Sequence, residues 1–298
     1  MATLQDLKRR VRSIRNTRKI TKAMELVASA RLRRAQSRIE AMRPYADRML
    51  ELMVGTARAA GGSVRGLPLL ERREVQTAAI VPITGDRGLA GAFNAQILRR
   101  SFALERRLRD EGVQVRFAVV GRKGASTLRF RRYEVDDAWS GFGDRPSYAD
   151  AQAVAHRLAE LYVEGEIDRV VVVYNRFLSP LVQRVTEQEL LPISEEILRR
   201  GEEEEEEKRA LRGDFIYEPE PEEILARLLP VYLETELYRA LLESSASEQG
   251  ARMTAMRNAS KAAGELIDTL TLAMNRARQA EITQEILEVV AGADALTA

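Results

Sequence analysis

The fold is decided by the stretch Ala2–Thr56, which reads ATLQDLKRRVRSIRNTRKITKAMELVASARLRRAQSRIEAMRPYADRMLELMVGT. Its only proline is Pro44, and no glycine precedes Gly55. A stretch with so few helix breakers predicts one continuous helix, roughly 80 Å long. A second stretch, Val231–Ala291, has no proline and only two glycines, and it predicts a helix of roughly 90 Å. Helices inside ordinary domains are far shorter, so both ends favour a mechanical or scaffolding part over a free-standing enzyme.

The composition excludes several classes of protein. The 298 residues contain no cysteine, which excludes disulfides and thiolate metal sites. No apolar run approaches the length of a membrane span, and the N-terminus lacks the apolar core of a signal peptide. The formal net charge is only +2, so overall charge does not demand a nucleic-acid partner. We therefore expect a soluble, cytoplasmic chain.

Charge is balanced overall but not along the first helix. Between Met1 and Arg43 there are thirteen Lys or Arg residues against three acidic ones. Nucleic-acid binding is one interpretation, but Tyr45 is the only aromatic residue among the first fifty, so side chains that would stack on bases are scarce. A solvated helix face is a second interpretation. An interface with acidic partner proteins is a third, because complementary charge orients such partners.

Both ends carry a narrow apolar seam with steps of three and four residues, which is typical of a two-helix coiled coil. On the first helix the seam comprises Leu4, Leu7, Val11, Ile14, Ile20, Met24, Val27, Ile39, Met42, Met49 and either Leu52 or Met53. On the last helix it comprises Met253, Met256, Ala263, Ile267, Leu270, Met274 and Ala277. Pairing within one molecule would be antiparallel. Periodicity alone leaves an intermolecular dimer open.

The middle of the chain predicts a compact α/β unit. Its strand and helix patterns alternate, which implies parallel strands with crossover helices. Strands are predicted at Thr77–Thr84, Val113–Val120 and Arg169–Tyr174, helices at Asn94–Glu111 and Tyr148–Glu164, an antiparallel or edge strand at Leu181–Leu191, and one more strand at Asp214–Tyr217. The Gly/Pro-containing linker Gly61–Pro68 marks the first boundary. We predict an N-terminal shaft helix at 1–60, a central α/β domain at 61–220 and a C-terminal shaft helix at 221–298.

A glycine-rich segment, TGDRGLAGAFN, lies at Thr84–Asn94, where a Rossmann-like fold would bind a phosphate. Its glycine spacing does not match the dinucleotide or P-loop fingerprints. A tight strand-to-helix turn capped by Asp86 is the favoured interpretation. The single histidine, His156, has no metal-ligand spacing and is interpreted as incidental. No catalytic constellation can be assembled, so we expect no catalytic residue, cofactor or metal.

Four segments resemble, in family order, the gamma subunit of rotary (F-type) ATP synthases. They are ITKAMELVASARLRR at Ile20–Arg34, GDRGLAGAFN at Gly85–Asn94, EQGARMTAM at Glu248–Met256, and NRARQAEITQE at Asn275–Glu285, which continues as ILEVVAGA to Ala293. The chain departs from the family at three places. Ala90 stands where the family usually has cysteine, Ala273 stands where an aromatic is common, and the acidic run Glu202–Glu207 resembles a lineage-specific loop. The plant-type regulatory cysteines are absent.

The resemblance implies an α/β fold in which the N- and C-terminal helices form a long antiparallel coiled coil beside a central Rossmann-like domain. It further implies a non-catalytic rotor shaft of a proton-translocating ATP synthase, present as one copy. The shaft would turn inside the hexamer of alpha and beta subunits, and the globular domain would contact the c-ring and the epsilon subunit. Nucleotide would bind to the hexamer and not to this chain. The location implied is peripheral, at the cytoplasmic face of the cell membrane.

The resemblance also implies contact residues. On the first helix Lys22, Met24 and Arg34 are expected near the hinge loops of the beta subunits, although Met24 also fits the apolar seam. In the C-terminal signature Arg252, Arg278, Gln279, Thr283 and Glu285 are expected to make polar contacts with those loops. The apolar turn Ile286, Leu287, Val289 and Val290 is expected in a hydrophobic bearing at the top of the hexamer, or paired with the first helix.

Two other classes of protein stay open at the level of sequence. A coiled-coil tether or basic nucleic-acid-binding rod explains the helical ends, and it predicts a homodimer or salt-sensitive nucleic-acid binding. A small nucleotide-binding enzyme explains the α/β middle, and it predicts that the isolated chain binds nucleotide.

Overall fold

The computed structural model describes residues 3–60, 66–194 and 218–297, with side chains as far as Gly292. Two long helices, α1 (Leu4–Ala59) and α5 (Pro221–Thr297), bracket an α/β segment. Three predicted features, the acidic run Glu202–Glu207, the strand Asp214–Tyr217 and most of the linker Gly61–Pro68, lie outside the described residues. Both long helices continue through a proline, Pro44 in α1 and Pro230 in α5.

The chain divides into two compact units. The first, which we call the helix-pair unit, comprises residues 1–29 and 252–298. The second, which we call the α/β unit, comprises residues 30–251 and so includes the remaining parts of α1 and α5. The sequence-based division at residues 60 and 220 stays a prediction.

The described residues of the α/β segment form a five-stranded sheet in the order β3-β2-β1-β4-β5. In chain order its elements are β1 (Thr77–Pro82), α2 (Phe93–Asp110), β2 (Gln114–Val120), α3 (Arg122–Phe130), β3 (Asp137–Trp139), α4 (Tyr148–Val163), β4 (Arg169–Phe177) and β5 (Gln183–Leu191). Strands β1 to β4 pair in parallel, whereas β5 is antiparallel to β4. This confirms the α/β class and the antiparallel edge strand. The short elements α3 and β3 were not predicted.

Two apolar cores cover the two faces of the sheet. One face is covered by α2, whose Ile97 and Leu108 are fully buried with Ile80 of β1. The other face is covered by α4, by the first half of α5 and by Met49 and Met53 of α1. Since α1 contributes to this core, its C-terminal half is part of the α/β unit rather than an appendage.

The apolar seam of α1 differs from the predicted one in its middle. Ile20 and Val27 are 59% and 52% exposed. Between Leu4 and Ala35 the buried residues follow one heptad pattern, in which the polar Arg18 and Thr21 take two of the positions. The buried residues of this stretch are Leu7, Val11, Glu25, Ala28, Leu32 and Ala35. The prediction was wrong here because polar residues occupy three consecutive seam positions. The apolar residues next to them then imitate a seam displaced by one residue.

Within the helix-pair unit α1 and α5 run antiparallel. Arg257 Nε donates to Glu25 Oε1 at 3.1 Å, and farther along α5 the Arg18 guanidinium lies 3.5 Å from the position that a Cβ on Gly264 would take. On α5 the first four residues of the predicted seam, Met253, Met256, Ala263 and Ile267, are buried, whereas the last three, Leu270, Met274 and Ala277, are half-buried. The buried part of this seam is thus covered by α1 of the same chain and does not need an intermolecular coiled coil.

Glu25 is a buried carboxylate in this helix pair, 6% exposed. Lys22 donates to it at 2.9 Å from the same helix, and Arg257 donates from α5. Hydrogen bonds from Lys22, first, and from Arg257 hold the pKa of Glu25 below its ordinary value of 4.5. These contacts fix one polar residue of α1 against α5 and so help to set the register of the pair.

The pKa of Glu25 predicts an acid-sensitive helix pair. Since this pKa is lower in the folded state, the ionised group stabilises folding above pH 4.5, and that stabilisation is lost as the pH falls through the folded pKa. We expect Glu25→Gln to remove this part of the pH dependence in thermal melts followed by circular dichroism. The control is Glu265→Gln, whose partner Lys261 is 4.0 Å away and exposed. Equal pH profiles for the two variants would contradict the assignment.

Candidate functional site

The glycine-rich segment after β1 forms a tight junction with the start of α3. Thr84 Oγ1 donates to the Val120 carbonyl at 2.9 Å and accepts the Gly124 N–H at 2.9 Å. Gly85 N–H donates to Asn94 Oδ1 at 2.8 Å. Gly121 between β2 and α3 has φ +97°, which glycine adopts without strain. The carboxyl ends of β1 and β2 are therefore fixed to each other by side chains of this segment.

Asp86 joins three loops at this edge. Its carboxylate accepts the N–H groups of Arg122 at 3.1 Å, Gly141 at 2.8 Å and Gly143 at 3.3 Å. The sequence had predicted that Asp86 caps the helix after the turn. That prediction was wrong, because α2 begins without a side-chain cap and Asp86 reaches the first residue of α3 instead.

A polar segment of α5 occupies the crevice at the carboxyl ends of β1 and β4. In sheets of this type that crevice, where the strand order reverses, is the usual ligand site. Ser244 Oγ donates to the Ile83 carbonyl at 3.3 Å, and Ser247 Oγ donates to the Asn175 carbonyl at 2.8 Å. A Cβ on Gly85 would lie 2.5 Å from a carboxylate oxygen of Glu248. The chain's own helix thus fills the position that a nucleotide takes in related folds.

Asp144, in the loop between β3 and α4, contacts both long helices within the α/β unit. Its Oδ2 accepts from Arg31 Nη1 of α1 at 2.6 Å, and its Oδ1 accepts from Gln249 Nε2 of α5 at 3.1 Å. Arg87 of the glycine-rich segment lies 3.7 Å from the same carboxylate. Sequence reasoning missed this cluster, because its members are far apart in the chain and no spacing links them.

His156, interpreted from the sequence as incidental, has a structural partner. Its Nε2 lies 2.7 Å from Oε1 of Glu234, a residue of α5 that is only 4% exposed. The Tyr148 hydroxyl donates to the same carboxylate at 2.6 Å. Burial, followed by the nearby Glu234 carboxylate, raises the pKa of Tyr148 above its ordinary value. This cluster connects α4 to α5 and shows no catalytic arrangement.

The helix-pair unit carries a basic groove of about 1100 Å³. It is lined on α1 by Lys8, Arg12, Arg15, Arg18, Lys19 and Lys22, and on α5 by Ser260, Ile267 and Met274. Cationic side chains thus form one wall and the apolar seam forms the floor. Such a surface suits an acidic protein segment better than a stacked base, because its lining has no aromatic residue.

The sequence-predicted contact residues lie in different surroundings. Lys22 is exposed and paired with Glu25, Met24 is half-buried, and Arg34 is exposed on the part of α1 that belongs to the α/β unit. Arg252 is only 7% exposed, which leaves little of its side chain for another subunit. The other four, Arg278, Gln279, Thr283 and Glu285, are exposed on two turns of α5. Thr283 Oγ1 donates to the Gln279 carbonyl at 2.9 Å, so these two share a face.

The comparisons with known proteins agree along the whole chain. A sequence model of the family described as ATP synthase matches residues 3–296. The ATP synthase gamma chain of Rubrobacter xylanophilus is 46% identical over the full length of both chains. That of Moorella thermoacetica is 48% identical and covers 99% of this chain and 100% of its own.

Solved structures show the same fold. A chain from the central stalk and c-ring of the Tetrahymena thermophila mitochondrial ATP synthase is 29% identical, with a TM-score of 0.58, and covers 81% of this chain and 99% of its own. A chain from the Euglena gracilis mitochondrial ATP synthase (OSCP/F1/c-ring) is 18% identical, with a TM-score of 0.67, over 98% and 94% of the two chains.

Two long helices that bracket an α/β sheet, in a fold shared with a central-stalk chain of a mitochondrial ATP synthase, place this chain in the class of central-stalk subunits. Within that class the chain belongs to the ATP synthase gamma chain family. It is a non-catalytic subunit of the complex. No helix among the described residues is long and apolar enough to span a bilayer.

Proposed function

We propose that this chain is the central shaft that couples rotation of a c-ring to conformational cycling of the catalytic beta subunits. One copy turns inside a hexamer of alpha and beta subunits. The observation that carries the proposal is the antiparallel pairing of α1 with α5 in a chain that matches the gamma chain family along its whole length. A rotor of this kind acts only if each orientation contacts the three beta subunits differently, because only differential contact shifts a conformational equilibrium.

The exposed surfaces of the helix-pair unit supply those contacts. The basic groove, with Lys22 at its edge, faces acidic loops of the beta subunits. On α5 Arg278, Gln279, Thr283 and Glu285 form a second polar contact with the hinge loops. Beyond them Leu287 and Val289, 63% and 72% exposed, enter an apolar bearing of the hexamer. Apolar side chains so exposed are stabilised when a partner covers them. Met24 and Arg34 are further candidates on α1.

The α/β unit is the part that we propose contacts the epsilon subunit and the c-ring. It would carry the chain as a peripheral component of the complex, at the cytoplasmic face of the membrane and driven by protons. Direct nucleotide binding by this chain is not part of the proposal, since α5 occupies the crevice of the sheet.

Reconstitution with the alpha and beta subunits of a close relative tests the proposal. We expect a complex with one copy of this chain and sustained ATP hydrolysis. Replacement of Arg12 and Arg15 by Glu should slow assembly by about tenfold at low salt, because complementary charge accelerates encounter. The difference should shrink at high salt.

The control for this test is the double replacement of Arg9 and Arg10 by Glu, which changes the net charge equally but lies outside the groove lining. If the two double variants slowed assembly equally, the groove would not be the surface that attracts the beta subunits. Dimerisation or nucleic-acid binding of the chain, without a complex, would replace the rotor proposal by the tether or rod.

A further inference from the structure

Torque can pass between the long helices and the sheet only if the helices are held against sliding. Apolar burial is non-directional, so it resists separation of packed surfaces better than it resists their displacement along each other. Near Arg31 the buried seam of α1 consists of Leu32 and the small residues Ala28 and Ala35. Hydrogen bonds to charged groups are directional and short, so they resist such displacement. We therefore expect polar contacts between the helices and the sheet to transmit the torque.

Asp144 makes such contacts with both helices at once. One oxygen accepts from Arg31 of α1 at 2.6 Å, and the other accepts from Gln249 of α5 at 3.1 Å. The Asp144 side chain is 30% exposed and Gln249 is 1% exposed, so the bonds are partly shielded from water. A single carboxylate is thus a common partner for two helices that are far apart in the chain.

The loop that carries Asp144 is itself fastened to the sheet. On its N-terminal side Gly141 and Gly143 donate N–H groups to Asp86, which follows β1. On its C-terminal side Ser147 and Asp150 form a reciprocal capping box at the start of α4. A force applied to Asp144 therefore reaches the end of β1 through Asp86 on one side of the loop and the capped start of α4 on the other.

We propose that Asp144 is a positioning residue for rotary coupling, one that locks Arg31 of α1 and Gln249 of α5 to the sheet and so prevents the helices from slipping under load. This inference rests on the proposed rotor function. Neither the family resemblance nor the names of the relatives assign a role in coupling to the loop between β3 and α4.

The test is the ratio of ATP-driven proton pumping to ATP hydrolysis in membranes with the assembled complex. Asp144→Ala removes both bonds, and Asp144→Asn removes the charge while keeping an acceptor. Loss of a charge-assisted bond shifts an equilibrium by about tenfold or more, so we expect pumping per ATP hydrolysed to fall at least about twofold in Asp144→Ala and less in Asp144→Asn. Hydrolysis itself should persist.

The matched control is Asp137→Ala. Asp137 is similarly exposed, 27% against 30%, and pairs with Arg157 at 3.2 Å, but both residues lie within the α/β segment and touch neither long helix through this bond. We expect this variant to pump as the wild type does. Equal loss in both variants, or an unchanged ratio in Asp144→Ala, would overturn the proposal.

A double variant separates positioning from general stability. Arg31→Gln should lower the ratio as Asp144→Asn does, and the combination should be no worse than the more severe single variant, because each removes the attraction between opposite charges in the same Arg31–Asp144 pair. If the losses of the pumping ratio were additive, or if no Asp144 variant assembled, Asp144 would serve folding alone and the inference would be wrong. A wild-type complex that hydrolyses ATP without pumping would contradict the proposed function instead, so the two failures are distinguishable.

Discussion

Gly121→Ala is expected to destabilise the α/β unit by at least about 3 kcal/mol. The residue has φ +97°, a conformation that costs an alanine about 1–2 kcal/mol. Its Cβ would lie 2.1 Å from the carbonyl oxygen of Thr84, which is backbone and cannot move aside alone. The end of β1 and the start of α3 would have to move apart. The cost of this clash therefore adds to the cost of the backbone conformation. Urea unfolding of the full chain measures the loss.

Gly141→Ala is the control that separates strain from clash. Gly141 has φ +103°, but no heavy atom of the described residues lies within 4 Å of the position that its Cβ would take. We expect Gly141→Ala to lower the free energy of unfolding only by the cost of the backbone conformation, about 1–2 kcal/mol. If both variants lost the same free energy of unfolding, the close approach of Thr84 to Gly121 would not contribute to stability, and the junction would be looser than described.

The strands and long helices were predictable because each depends on a local pattern. The β-branched run RVVVVY at Arg169–Tyr174 lies inside β4, and the stretch Ala2–Thr56, whose only breakers are Pro44 and Gly55, matches α1 closely. Patterns fail for short elements. The three residues of β3 are too few to show alternation, and α3 begins beside a glycine, so its sequence is typical of a loop. β3 is fixed by pairing with β2. α3 is held by the hydrogen bond from Gly124 N–H to Thr84 Oγ1 and by the burial of Leu128. The partners that hold both elements come from other parts of the chain.

The polar contacts of the site could not be predicted, and the reason is again physical. Arg31 and Asp144 meet across 113 residues of sequence, and a single ion pair imposes no periodicity on the chain. Asp86 was recognised as a capping residue, but its acceptor geometry is satisfied by α3 rather than by the helix that follows it. In α1 the polar Glu25 occupies a seam position because Arg257 of α5 neutralises it, a partner that hydropathy does not reveal.

Met53→Ala is expected to destabilise the α/β unit by about 2–5 kcal/mol, the usual range when a buried methionine is truncated and leaves a cavity. Sequence periodicity admitted either Leu52 or Met53 at this position of the seam. The structure selects Met53, which is 0% exposed within the core under the sheet, whereas Leu52 is 52% exposed. Urea unfolding, followed by circular dichroism, gives the free energy of unfolding for each variant.

Leu52→Ala is the matched control, since it removes a similar volume one residue away on the same helix. We expect a change within about 0.5 kcal/mol, as for other exposed positions. The consequence for the rotor follows from where Met53 lies. Because it inserts α1 into the core that also holds α4 and α5, a cavity there weakens the attachment of α1 to the sheet that the shaft must turn with. Comparable losses from the two truncations would mean that α1 is not anchored through this face, and the torque path through the α/β unit would then have to avoid Met53.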